Sequence, residues 1–341
     1  MSKATQKRRP SDHGKSRGEG PRALSAAWRD GVQLVGTPVW CDARRRRDVC
    51  FASAHGRVGK AGHGQLIATP QTLALVGAQD AGHLGVPVRR RFSLGQLQLE
   101  LLPSGHGLGA AALRAELGGR VALYAGAVNP VSVGLAEPGE VRPADVVIVA
   151  APYRGAAGDF PPAAPVVAQL LEWVQASRAG NVLVLVNTEL KALDVAAVLA
   201  GGGVEVCAPQ GLRNLARRAK TVAAAVPDLR AIPRDRPAVV VATVEQRARL
   251  APELARLGLV TGWVSGEAAD PAAVAAARVE RGFAWSSCAN RGQLLSWIEA
   301  TSAREIYLTG RGGPELAAHL GPRASALGPP TQMRLFPGGE P

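Results

Sequence analysis

Between positions 32 and 152 the apolar residues come in short runs, many of them alternating with polar ones: VQLVG, PVWCDA, VCFAS, QLIATP, LQLELLP, AALRAEL, RVALYAG and VVIVAAP. A period of two puts successive side chains on opposite faces of a strand, and the Gly, Pro and Asn between the runs supply turns. This half of the chain is predicted to be β-rich, with ALRAEL and GGRVALY forming a hairpin across a Gly-Gly turn. From about residue 162 the period changes. PPAAPVVAQLLEWVQASRAG predicts a helix, NVLVLVN a buried strand, and TELKALDVAAVLAGGG a helix ending in glycines. VEVCAP, a basic helical segment around 211 to 222, AVVVATV and a helix at 246 to 257 continue the alternation, which predicts α/β layering on a parallel sheet. GFAWSS, the helix NRGQLLSWIEAT, the strand EIYLTG, the helix PELAAHLG and a tail ending in QMRLF restore core-like elements, and no internal repeat is visible.

With 341 residues and 47% hydrophobic content, the chain can bury one large core or two moderate ones, and two lobes are expected. Aromatic residues are only 4%, so the core must be built from Ala, Val and Leu packed closely. No stretch approaches the roughly 18 apolar residues of a spanning helix, and the basic N-terminal stretch has no apolar region after it. The expectation is a cytoplasmic protein without membrane contact. Cys41, Cys50, Cys207 and Cys288 lie far apart without a CxxC pair, which argues against a disulfide framework and against a zinc knuckle.

The formal net charge of +13 favours phosphate polyanions through long-range attraction. Much of it is local. The first 22 residues hold seven Lys or Arg against two acids, including Lys7, Arg8 and Arg9, and residues 1 to 23 are expected to form a disordered basic tail. Arg44, Arg45 and Arg46 in an RRRR run, and Arg89, Arg90 and Arg91, add two clusters. Nucleic-acid contact and a solvated rim both remain open for these clusters.

The stretch DVCFASAHGRVGKAGHGQLIATP has the shape of a metal-binding loop after a strand, yet its only histidines, His55 and His63, are eight residues apart and match no common ligand spacing. GHGLGAA is shaped like a phosphate loop, but such a loop needs a helix immediately after it, and a hairpin pattern follows instead; dinucleotide binding is excluded and His106 reads as a turn residue. There is no GxSxG and no recognisable nucleophile set. SSCAN puts Cys288 just ahead of a helix N-terminus, where it reads as a packing residue beside the cap.

Taken in order, CDARRRRDVCFASAH, QLIATPQT, LPSGHGLGAA, YAGAVNP, VVIVAAPY, a helical α/β insert, VTGW, FAWSSCAN and IYLTG resemble the β-CASP branch of the metallo-β-lactamase fold. The chain is most similar to bacterial proteins labelled ligase-associated DNA exonucleases or mRNA 3′-end processing factors, over about residues 30 to 338. The resemblance implies a four-layer αβ/βα sandwich from 24 to 158 and 266 to 341, interrupted by an α/β cap at 159 to 265. Family members carry a strand-end Asp, kept here as Asp42, and then a ligand run that falls on Ser53 to Gly59. Its four ligand positions are Ala54, Gly56, Val58 and Gly59. The histidine of the GHxLG motif survives as His106, but the remaining family ligands fall on Ala127, Ala150, Cys288 and Gly310, with Ser287 and Asn290 in place of two aspartates.

One surviving histidine cannot replace the hydration shells of two zinc ions. The resemblance therefore implies a pseudo-nuclease without a metal cofactor, one that binds DNA or RNA, or a partner such as an active β-CASP homologue or DNA ligase or helicase machinery. The alternative is an active hydrolase with a relocated zinc site built from His55, His63, His106 and Cys288.

Overall fold

The computed structural model describes residues 24–59, 62–78 and 82–329, so Lys7, Arg8, Arg9 and the QMRLF tail lie outside the described residues. The chain opens with β1 (Ser25–Trp28), β2 (Val32–Val35), β3 (Val39–Cys41), β4 (Val49–Phe51), β5 (Gln65–Ala68), helix α1 (Pro70–Val76) and β6 (Leu84–Gly85). These six strands form one sheet in chain order, antiparallel from β1 to β3 and parallel from β3 to β6. Next come β7 (Arg91–Leu94), β8 (Leu97–Pro103), β9 (Ala111–Leu117), β10 (Arg120–Gly126) and β11 (Val146–Ala150). The β9–β10 hairpin turns on Gly118 and Gly119, both at positive φ, the geometry of the two-residue turn that matches strand twist.

After β11 the chain leaves this sheet and builds α2 (Ala163–Ala176), β12 (Asn181–Val186), α3 (Glu189–Gly201), β13 (Val206–Cys207), α4 (Gln210–Lys220), β14 (Val239–Thr243), α5 (Arg247–Leu254), β15 (Leu259–Val264), α6 (Pro271–Ala276) and β16 (Arg281–Phe283). The five strands make a wholly parallel sheet in the order β13-β14-β12-β15-β16. Then α7 (Arg291–Ala300), β17 (Glu305–Thr309), α8 (Gly313–Leu320) and β18 (Ala324–Ala326) return to the second sheet, where β17 pairs parallel with β11. The α/β alternation is as expected, but the insert's sheet does not stop at residue 265. GFAW begins with β16, paired with β15, so its hydrogen bonds belong to the insert.

Side-chain parity explains the layering. Leu97, Leu99 and Leu101 of β8 and Val146 and Ile148 of β11 point toward Val32, Leu34 and Phe51 of the first sheet, giving one core between two facing sheets. Their neighbours Val147 and Val149 point the other way, onto Leu294, Trp297 and Ile298 of α7 and Leu316 of α8. In the insert, Val182, Val184 and Val186 meet the buried stripe Val166, Leu170 and Val174 of α2, while Leu183 and Leu185 meet Leu250 and Leu254 of α5. Both faces of β12 are covered, which is why it reads as an unbroken apolar run. Each such Val or Leu contributes about 1.5–3 kcal/mol by leaving water.

α1 was not anticipated from the pattern, although its signals are local. Thr69 accepts from the Thr72 N–H, Pro70 sits at the first helical position, and Gly77 closes the helix at φ +77°. Leu75 of this helix joins Ala54, Leu108 and Ala110 in the insert's own core, and Arg218 Nε of α4 donates to Leu75 O at 3.1 Å. The insert is thus packed on the sandwich edge through apolar contact. No helix among the described residues is long and apolar enough to cross a membrane.

Candidate functional site

The carboxyl ends of β3, β4, β10, β11 and β17 deliver Asp42, Ser53, Ala127, Ala150 and Gly310 to one edge of the sandwich, and open sheets characteristically hold ligands outside strand carboxyl ends. Two adjoining cavities lie there. One of about 240 Å³ is bordered by Asp42, Tyr124, Ala150 and Gly310; a larger cleft of about 510 Å³, bordered by His106, Lys191, Trp285 and Cys288, separates the sandwich from the insert. Arg44, Arg57, Pro152 and Gly310 belong to both.

Asp42 is held by hydrogen bonds. Its Oδ1 accepts from Ser53 N at 2.8 Å, and its Oδ2 accepts from Ser53 Oγ at 2.7 Å and from Tyr124 OH at 2.8 Å. The residue sits at φ +49°, a left-handed conformation that Asp tolerates better than most. Burial, followed by the Asp42 charge, pushes the Tyr124 hydroxyl well above its usual range, so it stays a donor. Asp42 therefore ties β3, β4 and β10 together.

His106 and Cys288 do meet. The His106 Nδ1–H donates to Ser287 O at 3.2 Å, and Cys288 Sγ lies 3.5 Å from the same nitrogen. Burial, then the nearby Arg57 charge, lowers His106 to about 4, and burial pushes the Cys288 thiol up to about 11. A neutral imidazole beside a protonated thiol is not a thiolate–imidazolium pair, so this is no activated nucleophile. Cys288 N donates to Ser286 Oγ at 2.8 Å, and Ser286 Oγ in turn bonds Tyr153 OH at 2.7 Å.

The other two histidines lie elsewhere. His55 Nδ1 is 4.0 Å from Glu189 at the start of α3, and His63 Nδ1 accepts from Arg47 N at 3.2 Å. Among the described residues no three His, Cys, Asp or Glu side chains gather as a metal site, so the relocated set His55, His63, His106 and Cys288 does not form. His55 faces the start of α3 and His63 the loop before β4, so the two take different partners.

The zinc ions implied by the resemblance do not fit the residues present. Ala54 is packed into the apolar core and Ala127 is buried. At Gly310 a Cβ would come within 2.9 Å of Ala151 O at φ +87°, so the backbone there excludes any donor side chain. Gly56, Val58 and Gly59 offer no donor atom.

Among the described residues of the arginine clusters, only Arg44 borders the cleft; Arg45 pairs with Asp30 at 3.1 Å. Arg89 binds Glu140 at 2.8 Å and Glu137 at 3.0 Å, and Arg91 lies 3.5 Å from Glu100. Arg89, Arg90 and Arg91 border neither of these two cavities. The cleft's cations are instead Arg44, Arg57, Lys191 and Arg311, against the carboxylate of Glu267, with Asp42 in the adjoining cavity. Arg57, Lys191, Arg311, Tyr153 and Trp285 escaped the sequence reading. Arg57 stands in the loop after β4, and Lys191 with Asp194 puts two buried charges on α3; both were visible as single departures, without any spacing to interpret.

No protein-family model and no curated protein matches this chain. Among solved structures, it is similar to the crystal structure of a protein of unknown function from Enterococcus faecalis V583, with a TM-score of 0.53 over 82% of this chain and 79% of that chain at 12% sequence identity. That likeness defines a shared mixed α/β fold.

Proposed function

We propose that the chain is a β-CASP-type metallo-β-lactamase homologue that has lost hydrolysis and binds a nucleic-acid strand in the cleft between sandwich and insert. Two facing sheets with helices outside, and an α/β insert between β11 and β17, support the fold reading. One observation carries the functional reading: Arg44, Arg57 and Arg311 border a cleft in which Gly310 is too tight for a side-chain donor and His106 and Cys288 are the two donor residues left at the family's ligand positions. Guanidinium groups without a metal can hold phosphates but supply neither an activated water nor a Lewis acid. Asn187 and Thr188 add the N-terminus of α3 to the same wall, with its partial positive charge.

Fluorescence anisotropy on single- and double-stranded DNA and RNA, with a salt titration, tests this. A strand binder loses affinity linearly in log salt, and Arg57→Ala lowers the slope by about 0.7 to 0.9. Affinity that ignores salt points to a protein partner, such as an active homologue or ligase or helicase machinery, and rejects the polynucleotide. Zinc analysis and a nuclease assay with added Zn²⁺ or Mn²⁺ on the same protein are expected to be negative; metal-dependent cleavage sinks the loss of hydrolysis.

A further inference from the structure

Helix α4 holds the basic segment of the insert and contributes no residue to the cleft wall. Its 11 residues carry Arg213, Arg217, Arg218 and Lys220 and no acid. Leu212, Leu215, Ala216 and Ala219 are buried in the insert's core, which leaves Gln210, Arg213, Asn214 and Arg217 as one outer stripe at helical spacing. The Arg213 guanidinium donates to Gln210 Oε1 and the Arg217 guanidinium to Asn214 Oδ1, both neutral amides, while Arg218 Nε donates to Leu75 O at 3.1 Å. Among the described residues no carboxylate pairs with these three arginines, whereas Lys220 is matched by Asp228 at 2.7 Å.

Helix electrostatics do not account for the stripe. Arg217, Arg218 and Lys220 suit the negative end of the helix, but Arg213 stands one turn from its positive end and four residues from Arg217, where like charges repel. An anion lying along both guanidinium groups relieves that repulsion. The stripe also leads to the cleft. Leu75, whose carbonyl holds Arg218, shares a core with Ala54, the neighbour of His55, and His55 and Arg57 lie in one short turn whose Arg57 borders the cleft. The His55 pKa is lowered chiefly by burial, with Glu189 opposing and the Arg218 charge adding to the lowering, which agrees with that proximity. Beyond Arg213 the next arginines, Arg230 and Arg236, face Glu205 at 4.0 and 2.8 Å, so the unpaired stripe ends there.

We propose that the outer face of α4 is a second contact surface for a polynucleotide, a track that carries the strand from the cleft mouth past Arg218 to Arg217 and Arg213. A nucleic-acid strand is the occupant that fits, because the stripe is free of acids and its guanidinium forks match phosphates in series without reading a base. Arg213 to Arg218 spans about 8 Å of helix axis, room for about two phosphates of one strand. This surface rests on the polynucleotide reading of the cleft and extends it by a dependence on length: a strand confined to the cleft ignores α4, and a longer one does not.

The test uses the full chain and two fluorescein-labelled probes, a thymidine trinucleotide and a thymidine 20-mer, in anisotropy titrations over a range of salt. Arg213→Gln with Arg217→Gln is expected to lower the salt slope for the 20-mer by about 1.4, two single-strand phosphates at about 0.7 each, and to leave trinucleotide affinity within about twofold. Lys220→Gln, whose charge Asp228 already matches, is expected to leave the 20-mer slope within about 0.2. Arg57→Ala weakens the binding of both probes. Cooperative melting of the double variant at or above the wild-type temperature establishes that it is folded, since the substitutions remove a like-charge pair. A 20-mer slope unchanged in the double variant but lowered by Arg57→Ala overturns the α4 track and leaves the cleft reading standing. A slope lowered by the double variant and not by Arg57→Ala rejects the cleft, and with it a track that starts there. An equal loss from Lys220→Gln shows that net charge alone acts, and polyglutamate that displaces the 20-mer as well as unlabelled 20-mer does rejects nucleic acid as the occupant; each overturns the proposal. Failure of both probes to bind rejects the cleft and the track together.

Discussion

His106 shows how one residue can keep its identity and change its work. The sequence marks it as a surviving ligand, whereas the fold uses its Nδ1–H to hold Ser287 O at 3.2 Å and buries the ring beside Cys288. Its pKa, lowered to about 4 chiefly by burial, sets the sign of an acid effect. Between about 6.5 and 4 the unfolded chain binds the proton and the folded chain does not, so stability present above the unfolded value is lost as pH falls through this window. Denaturant unfolding at pH 7, 5.5 and 4 should show the wild type losing about 2 kcal/mol more than His106→Gln, a figure reduced from the full shift because the ring borders the cleft. Parallel losses in the two proteins would mean that another group governs the acid limb. The neighbouring Cys288 reads from the sequence as a packing residue; in the fold it is half-buried on the cleft wall, with its thiol raised to about 11.

At the scale of elements, local pattern and local chemistry were strong guides where they coincided. Thr188 caps α3 by accepting from Lys191 N at 3.2 Å, and Asn290 caps α7 in a reciprocal box with Gln293, both at helix starts the sequence announces. Asn181 is different. It opens β12, is buried, donates from Nδ2 to Leu254 O at 2.7 Å and accepts from Ala238 N at 2.9 Å, so one amide fastens the helix α5 and the strand β14 to the central strand of the insert. Asn181→Ala leaves two buried backbone groups unpaired and is expected to cost about 2–4 kcal/mol in equilibrium unfolding, with oligonucleotide affinity unchanged. A loss below about 0.5 kcal/mol would show that the strand end relaxes or admits water. Nothing in NVLVLVN signals this role, because both partners come from more than 50 residues away.

For the whole molecule, charge becomes function only through placement. The sequence offers arginine clusters as equals, but the fold sets Arg44 and Arg57 on the cleft and spends Arg89 on Glu137 and Glu140. Neutralised pairs release few counterions, so Arg89→Ala and Arg91→Ala are expected to leave the salt slope of strand binding within about 0.2, while Arg44→Ala lowers it by about 0.7 to 0.9. Equal effects from both groups would mean that the strand crosses the far face of the sandwich. The insert can serve as one wall of that cleft because its core is continuous with Ala54, Leu75, Leu108 and Ala110 of the sandwich.

By itself, the sequence determined the β-rich first half, the β9–β10 hairpin, the α/β alternation of the insert and the absence of donor atoms at Ala54, Gly56, Val58, Gly59, Ala127, Ala150 and Gly310, because periodicity, turn chemistry and side-chain identity are local properties. Only the tertiary structure decided that β16 belongs to the insert, that His55 and His63 part company from His106, which arginines face the cleft, and that Lys191 is buried against the Trp285 ring without a hydrogen-bond partner among the described residues. Those outcomes depend on which distant segments share a sheet or a core, and no local pattern of residues encodes the partner across the gap.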